Sequence, residues 1–122
     1  MAKILIADDD ALLQELLRFK LETAGHEVII ASNGDEALTF AREQSPDVVV
    51  LDSMMPIKTG PEVLRALKAD DATRDMTVIM LTARKGQADI VEALRGGAAD
   101  YITKPFLPEE LAVRVEAALL RN

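Results

Sequence analysis

A doubly wound α/β fold, a five-stranded parallel sheet between two layers of helices, is the architecture this sequence predicts. Three observations predict it. Short runs rich in Val, Ile and Leu carry apolar residues on consecutive positions, the mark of strands buried on both faces. Longer segments between them space their apolar residues as helices do. The two patterns alternate five times with no repeat, linker or low-complexity segment, and right-handed crossovers then wind helices onto both faces of the sheet.

The first strand is Lys3–Ala7 (KILIA), followed by a helix marked by Leu13, Leu16, Leu17, Leu21 and Ala24 and stopped by Gly25. Residues 28–31 form the second strand. Asn33-Gly34 turns the chain, and Asp35-Glu36 put negative charge into the first turn of a second helix that ends before Ser45-Pro46. Residues 48–51 are the third strand. Gly60-Pro61 opens the third helix, whose apolar face is Val63, Leu64 and Leu67, with proline where no N–H is needed. Residues 78–81 are the fourth strand. Ile90, Val91 and Leu94 mark the fourth helix, closed by Gly96-Gly97. Residues 101–103 are a weaker fifth strand, and Pro108-Glu109-Glu110 opens a fifth helix carrying Leu111, Val115, Ala118 and Leu119.

The 122 residues amount to one domain at the usual ~100–200 residues each, so 1–122 reads as a single domain. At 49% hydrophobic the chain can close a core without a disulfide or metal staple. It has no cysteine, which excludes a disulfide framework, a thiolate metal site and a cysteine nucleophile. Fourteen basic against 21 acidic residues leave a formal net charge of −7, the wrong sign for gripping nucleic acid with a whole surface. The start runs straight into a short apolar run ended by three acids and does not read as a signal peptide. No apolar stretch approaches ~18 residues, so no membrane span is expected. The expectation is a soluble, acidic, cytoplasmic domain with no direct nucleic-acid or membrane contact.

Ligands of doubly wound sheets bind at the carboxyl ends of the strands, near the point where strand order reverses. Those ends lead into Asp8-Asp9-Asp10 after the first strand, Asp52 after the third, Thr82 after the fourth and Lys104-Pro105 after the fifth. A lone acid in a loop is ordinarily just solvated. Here the fold gathers Asp8, Asp9 and Asp52, and two carboxylates ~4 Å apart repel by about 4 kcal/mol at an effective dielectric of ~20. Something positive must sit among them. One choice is Lys104. The other is a hard divalent cation, since all-oxygen ligation without His or Cys suits magnesium or manganese rather than zinc. A carboxylate, such a cation, a hydroxyl and an ammonium together make a site for attack on a phosphoryl group.

Four motifs extend this pattern: I-L-I-A-D-D-D at residues 4–10, V-V-V-L-D-S-M-M-P-I-K-T-G at 48–60, I-M-L-T-A at 79–83 and G-A-A-D-Y-I-T-K-P-F at 97–106. In this order and spacing they make the chain resemble the receiver domains of bacterial two-component response regulators, from Lys3 to about Leu120. The resemblance implies a flavodoxin-like strand order, 2-1-3-4-5. The strand-end rule was itself framed partly on such receivers, so that agreement adds no independent weight. It implies that Asp52 takes a phosphoryl group from a sensor histidine kinase or phosphotransfer protein. Asp9 and Asp52 would ligate Mg2+ with the Met54 backbone carbonyl, and Asp8 would act largely through water. Thr82 would hydrogen-bond the phosphoryl group and Lys104 would pair with it, the Lys104–Pro105 bond being cis. Chemistry would be limited to the domain's own phosphorylation and dephosphorylation. The Tyr101 ring would swing inward as Thr82 moves, reshaping the face of the fourth helix, fifth strand and fifth helix toward an output domain or target protein.

Three other residues have plainer readings. Asp10 is expected to cap the first helix, and His26, the single histidine, to lie on the surface at a helix end. The Met54 side chain is expected to pack over the site.

The chain also departs from the receiver pattern. Where receivers commonly read M-P-x-M-D-G, residues 55–60 read Met55-Pro56-Ile57-Lys58-Thr59-Gly60, so Lys58 adds a positive charge near the site. The fourth helix carries Glu92 where transcription-type receivers have a basic residue. In those receivers it pairs across a dimer with the glutamate that Glu110 matches here. Glu92 facing Glu110 would repel, leaving Asp100 and Arg114 as one possible cross-pair.

Competing readings are weaker. Asp8-x-Asp10 also fits the nucleophile and acid of haloacid-dehalogenase-like magnesium phosphohydrolases, but these need a cap and further acidic motifs, for which 122 residues leave no room. A phosphorylation-independent interaction module is countered by the intact Asp9, Asp52, Thr82 and Lys104. A flavin binder would want a glycine-rich phosphate loop and stacking aromatics, which a 3% aromatic chain lacks. An end just after the fifth helix fits a stand-alone receiver and equally a domain cut from a longer regulator.

Overall fold

The computed structural model describes residues 2–83 and 87–120, and in the fourth helix the side chains from Val91 onward. The elements run β1 (Lys3–Ala7), α1 (Ala11–Thr23), β2 (Glu27–Ala31), α2 (Gly34–Gln44), β3 (Val48–Asp52), α3 (Gly60–Ala69), β4 (Thr77–Thr82), α4 (Gln87–Arg95), β5 (Asp100–Thr103) and α5 (Pro108–Leu120). The strands are parallel, in the order β2-β1-β3-β4-β5. The expected doubly wound fold and its strand order are therefore present.

Alternate residues of each strand feed two apolar layers. Leu5, Val49, Leu51 and Met80 pack with Leu38, Val63 and Leu67 from α2 and α3. Ile6, Val50, Ile79 and Leu81 pack on the other face with Leu17, Leu21, Leu111 and Val115 from α1 and α5. Full burial of each such side chain contributes about 1.5–3 kcal/mol, so two filled layers hold the sheet rigid beneath whatever its ends carry. Every residue of β3 is buried. β2 and β5 are only half covered, unlike the both-faces burial expected of them, because they are the edges of the sheet.

Helix limits follow local chemistry. Asp10 caps α1, its side chain accepting from the Leu12 and Leu13 N–H groups at 3.0 and 3.2 Å. Thr59 and Glu62 form a reciprocal capping box at the start of α3. The threonine thus does the capping work at the position where receivers carry an acid.

Some apolar periodicities misplace the core. Leu16 is 47% exposed and Ala24 is the exposed cap residue of α1; its core stripe is Leu13, Leu17 and Leu21. Val91 and Leu94 are likewise exposed, and Ala93 packs inward. α4 lies against the edge strand β5, where the sheet offers little width to cover. The Ile90 side chain lies outside the described residues.

His26 corrects an expectation. Its side chain is only 7% exposed, Nδ1 accepts the Ala2 N–H at 3.2 Å and Nε2 meets Glu116 Oε1 at 2.7 Å. The imidazole ties the chain before β1 to α5. With Nδ1 accepting, the ring proton sits on Nε2 and is donated to the carboxylate. Among the described residues no helix is long and apolar enough to cross a membrane.

Candidate functional site

The parallel register brings the polar residues together. Asp8 follows β1, Asp52 ends β3 opposite Leu81, and Thr82 ends β4 opposite Thr103, the residue before Lys104. Asp52 and Thr82 are thus the last residues of their strands rather than the first beyond them, which gives both a fixed backbone. The Lys104 N–H donates to the Thr82 carbonyl at 2.7 Å, and the Lys104–Pro105 bond is cis, as expected.

Three carboxylates converge. One oxygen from each of Asp8, Asp9 and Asp52 lies within 4.8 Å of the others, with Asp8 and Asp52 buried and Asp9 exposed. Lys104 Nζ sits between the two buried acids, 3.0 Å from Asp8 Oδ2 and 3.3 Å from Asp52 Oδ1. The first of the two expected sources of positive charge is therefore present. Burial, and then the charge of Asp8, raise the Asp52 pKa above the ordinary carboxylate value against the pull of Lys104. Burial works against the Lys104 ammonium too. The hydrogen bonds and charges of Asp8 and Asp52 outweigh it and hold the lysine pKa above its usual value.

Among the described residues one ammonium faces three carboxylates and does not balance them. The donor set is hard and all-oxygen, so it fits a small divalent cation. Both Asp8 oxygens are already engaged, Oδ1 by the Asp10 N–H at 2.9 Å and Oδ2 by Lys104. That suits Asp8 to an outer role. The Met54 N–H reaches Asp52 Oδ1 at 3.4 Å and so helps to orient the Asp52 carboxylate. The Met54 side chain is largely exposed rather than packed over the acids.

Thr82 and Tyr101 share a cavity of about 380 Å3, which Ser53, Leu64, Met80 and Ala93 also line. Tyr101 is half-buried on β5 and Thr82 is buried. The Asp10 carboxylate is engaged as a helix cap, so Asp8-x-Asp10 forms no nucleophile–acid pair of the phosphohydrolase kind. Arg114 grips Asp100 of its own chain with Nη1, at 2.9 and 3.0 Å, and Glu110 lies 3.9 Å from the same guanidinium. The one favourable cross-pair expected between copies is thus made within the chain.

Sequence reading missed Gln14, whose side-chain amide donates to the Asp8 carbonyl and, at 3.2 Å, to Ser32 Oγ. A glutamine on an exposed helix turn carries no local signal of such a role.

The response regulator receiver domain model matches residues 4–116. The DNA-binding response regulator MtrA of Mycobacterium tuberculosis is 45% identical over 120 residues, 98% of this chain and 51% of its own length. The phosphate regulon transcriptional regulatory protein PhoB of Escherichia coli is 41% identical over 119 residues, 98% of this chain and 52% of its own. The chain thus spans about half the length of the curated relatives it matches. The solved Francisella response regulator 1452 receiver domain superposes with a TM-score of 0.93 at 35% identity, covering 99% of this chain and 98% of that one. Nothing in these likenesses supports the phosphohydrolase reading.

Proposed function

The chain belongs to the response regulator receiver domain family of two-component signalling, and on that footing we propose that Asp52 is its phosphoacceptor. The observation that carries the reading is a buried Asp52 gathered with Asp8 and Asp9 and paired, as Asp8 is, with the Lys104 ammonium. An Asp52 oxygen attacks the phosphorus of a phosphohistidine on a sensor kinase or phosphotransfer protein. The P–N bond breaks with its electron pair remaining on the imidazole, and an acyl phosphate forms on Asp52. Burial makes the carboxylate a stronger base than a solvated one, and so a better nucleophile. Lys104 supplies charge to the arriving phosphoryl oxygens without needing to move in from solvent. Thr82, on the strand beside Asp52, supplies a hydroxyl to them.

Asp9, Asp52 and the Met54 carbonyl would hold Mg2+, with Asp8 behind them through water. The ion would supply the positive charge that one lysine cannot. Residues 1–122 act in this reading as one domain, a cytoplasmic switch that turns over no substrate beyond its own phosphoryl group. The shared cavity favours Thr82 and Tyr101 as the relay from Asp52 to the α4–β5–α5 face. There an output domain or target protein, rather than nucleic acid, is engaged.

Intact-mass analysis with acetyl phosphate and magnesium tests the assignment. Wild type should gain one phosphoryl mass only when magnesium is present, and Asp52→Asn none. Equal labelling of the two proteins would mean that the nucleophile lies elsewhere. In the same samples beryllofluoride, a phosphoryl mimic, should shift wild-type amide resonances from Val91 to Leu120. Shifts confined to the neighbourhood of Asp52 would refute the relay.

A further inference from the structure

Lys58, the charge that departs from the receiver pattern, does not point at the acids. Its Nζ lies 3.0 Å from Asp35 Oδ1 in the first turn of α2. The segment it belongs to leaves β3 at Ser53 and enters α3 at Gly60, whose N–H returns to the Ser53 carbonyl at 3.1 Å. Between these pins the chain is strained. The Lys58 N–H closes on the Pro56 carbonyl at 2.8 Å around Ile57, a β-branched residue at φ +71°. The Ile57 side chain is exposed, so no burial offsets that conformation.

What holds the turn is the start of α2. The Gly34 N–H donates to the Pro56 carbonyl at 3.4 Å. A Cβ on Gly34 would collide with Lys58 Cβ and its carbonyl, so only glycine lets the two backbones approach this closely. That helix start is itself anchored. Asn33 caps it, Glu36 accepts the Ser32 N–H at 2.7 Å, and Gln14 links Ser32 to the carbonyl of Asp8. A continuous path therefore runs from Asp8 through Gln14, Ser32, α2 and Lys58 to Met54 and Asp52.

We propose that the Lys58–Asp35 ion pair, seated on Gly34, is a clasp that holds the β3–α3 turn against α2. It thereby sets the Met54 carbonyl and Asp52 in place to receive a divalent cation. This rests on the reading of Asp9, Asp52 and Met54 as the magnesium site. Lys58 and Asp35 are positioning residues: they act through the turn and touch neither cation nor phosphoryl group.

The test is a magnesium titration followed by amide resonances of the full chain, with Lys58→Ala, Asp35→Ala, the double variant and the swap Asp35→Lys/Lys58→Asp. Half-exposed pairs are modest, so each single variant should weaken magnesium binding by about two- to fivefold. The double variant should be no worse than either single, and the swap should recover most of the loss. Gly34→Ala should weaken binding more than any of them. In metal-free protein the amides of residues 54–59 should shift in every variant except the swap, a readout that needs no magnesium. Unmoved 54–59 amides, or singles that add in the double, would overturn the clasp. A wild type whose Asp52 and Met54 resonances ignore magnesium would overturn the cation reading, and with it the role given to the clasp.

Discussion

The two ends of the sheet handle charge in opposite ways. At the amino ends of the strands polar groups are joined one to one. The Lys3 N–H donates to Asp47 at 2.8 Å, Lys3 Nζ to the Gln44 carbonyl at 3.1 Å, and His26 joins Ala2 to Glu116. At the carboxyl ends, among the described residues, three carboxylates face one ammonium, and two of the three are buried. Both ends are hydrogen-bonded, yet among the described residues only the carboxyl ends crowd three carboxylates within 4.8 Å of one another. Such an imbalance lowers the stability of the fold and marks where a ligand of opposite sign acts. The contrast distinguishes a structural clamp from a candidate site.

Lys104→Ala should sharpen the contrast most. It removes the ammonium that lies between Asp52 and Asp8, which is 0% exposed. Urea unfolding of the metal-free protein should show a loss of about 2–3 kcal/mol, since removing one partner strands a buried charge. Magnesium should recover part of that loss. An equal loss with and without the ion would show that Lys104 merely packs.

Asp52→Asn should have the next largest effect, with the opposite sign. The folded-state pKa of Asp52 is raised, so between its unfolded and folded values the native state binds the extra proton. Its contribution to stability therefore falls as pH rises through that window. At neutral pH without magnesium the variant should be about 1–2 kcal/mol more stable than wild type, through relief of the buried charge and then of its repulsion by Asp8. The advantage should vanish below the unfolded carboxylate pKa. Denaturation curves across that window measure it, and a variant less stable at neutral pH would break the charge-surplus argument.

The smallest effect belongs to the balanced end. His26→Ala should lower stability by about 1 kcal/mol through its lost hydrogen bonds. It should leave the stabilisation conferred by magnesium unchanged. A changed magnesium response would mean that the two ends are coupled.

The charged end was legible in sequence because topology does the collecting. Asp8, Asp52, Thr82 and Lys104 each sit where a consecutive apolar run stops, and a parallel sheet brings such stops to one edge. The balanced end was not legible. His26 beside Gly25 looks like a solvated helix end, and its burial depends on α5, whose Glu116 is 90 residues away. The clasp escaped in the same way: Lys58 reads as a stray charge until α2 is laid beside it.

What the amino-acid sequence determined by itself was the order and type of the elements, the cap at Asp10, the turn at Asn33-Gly34, and the residues at the strand ends. These depend on hydrophobic period and on side chains acting within a few residues. Only the tertiary structure decided which side of a wide apolar stripe is covered. It left Leu16, Val91 and Leu94 exposed, buried His26, and turned Lys58 toward Asp35 and Arg114 toward Asp100. Periodicity groups the residues of one face, but neighbouring elements choose which face is buried, and a flexible charged stem pairs with the carboxylate that packing brings within reach.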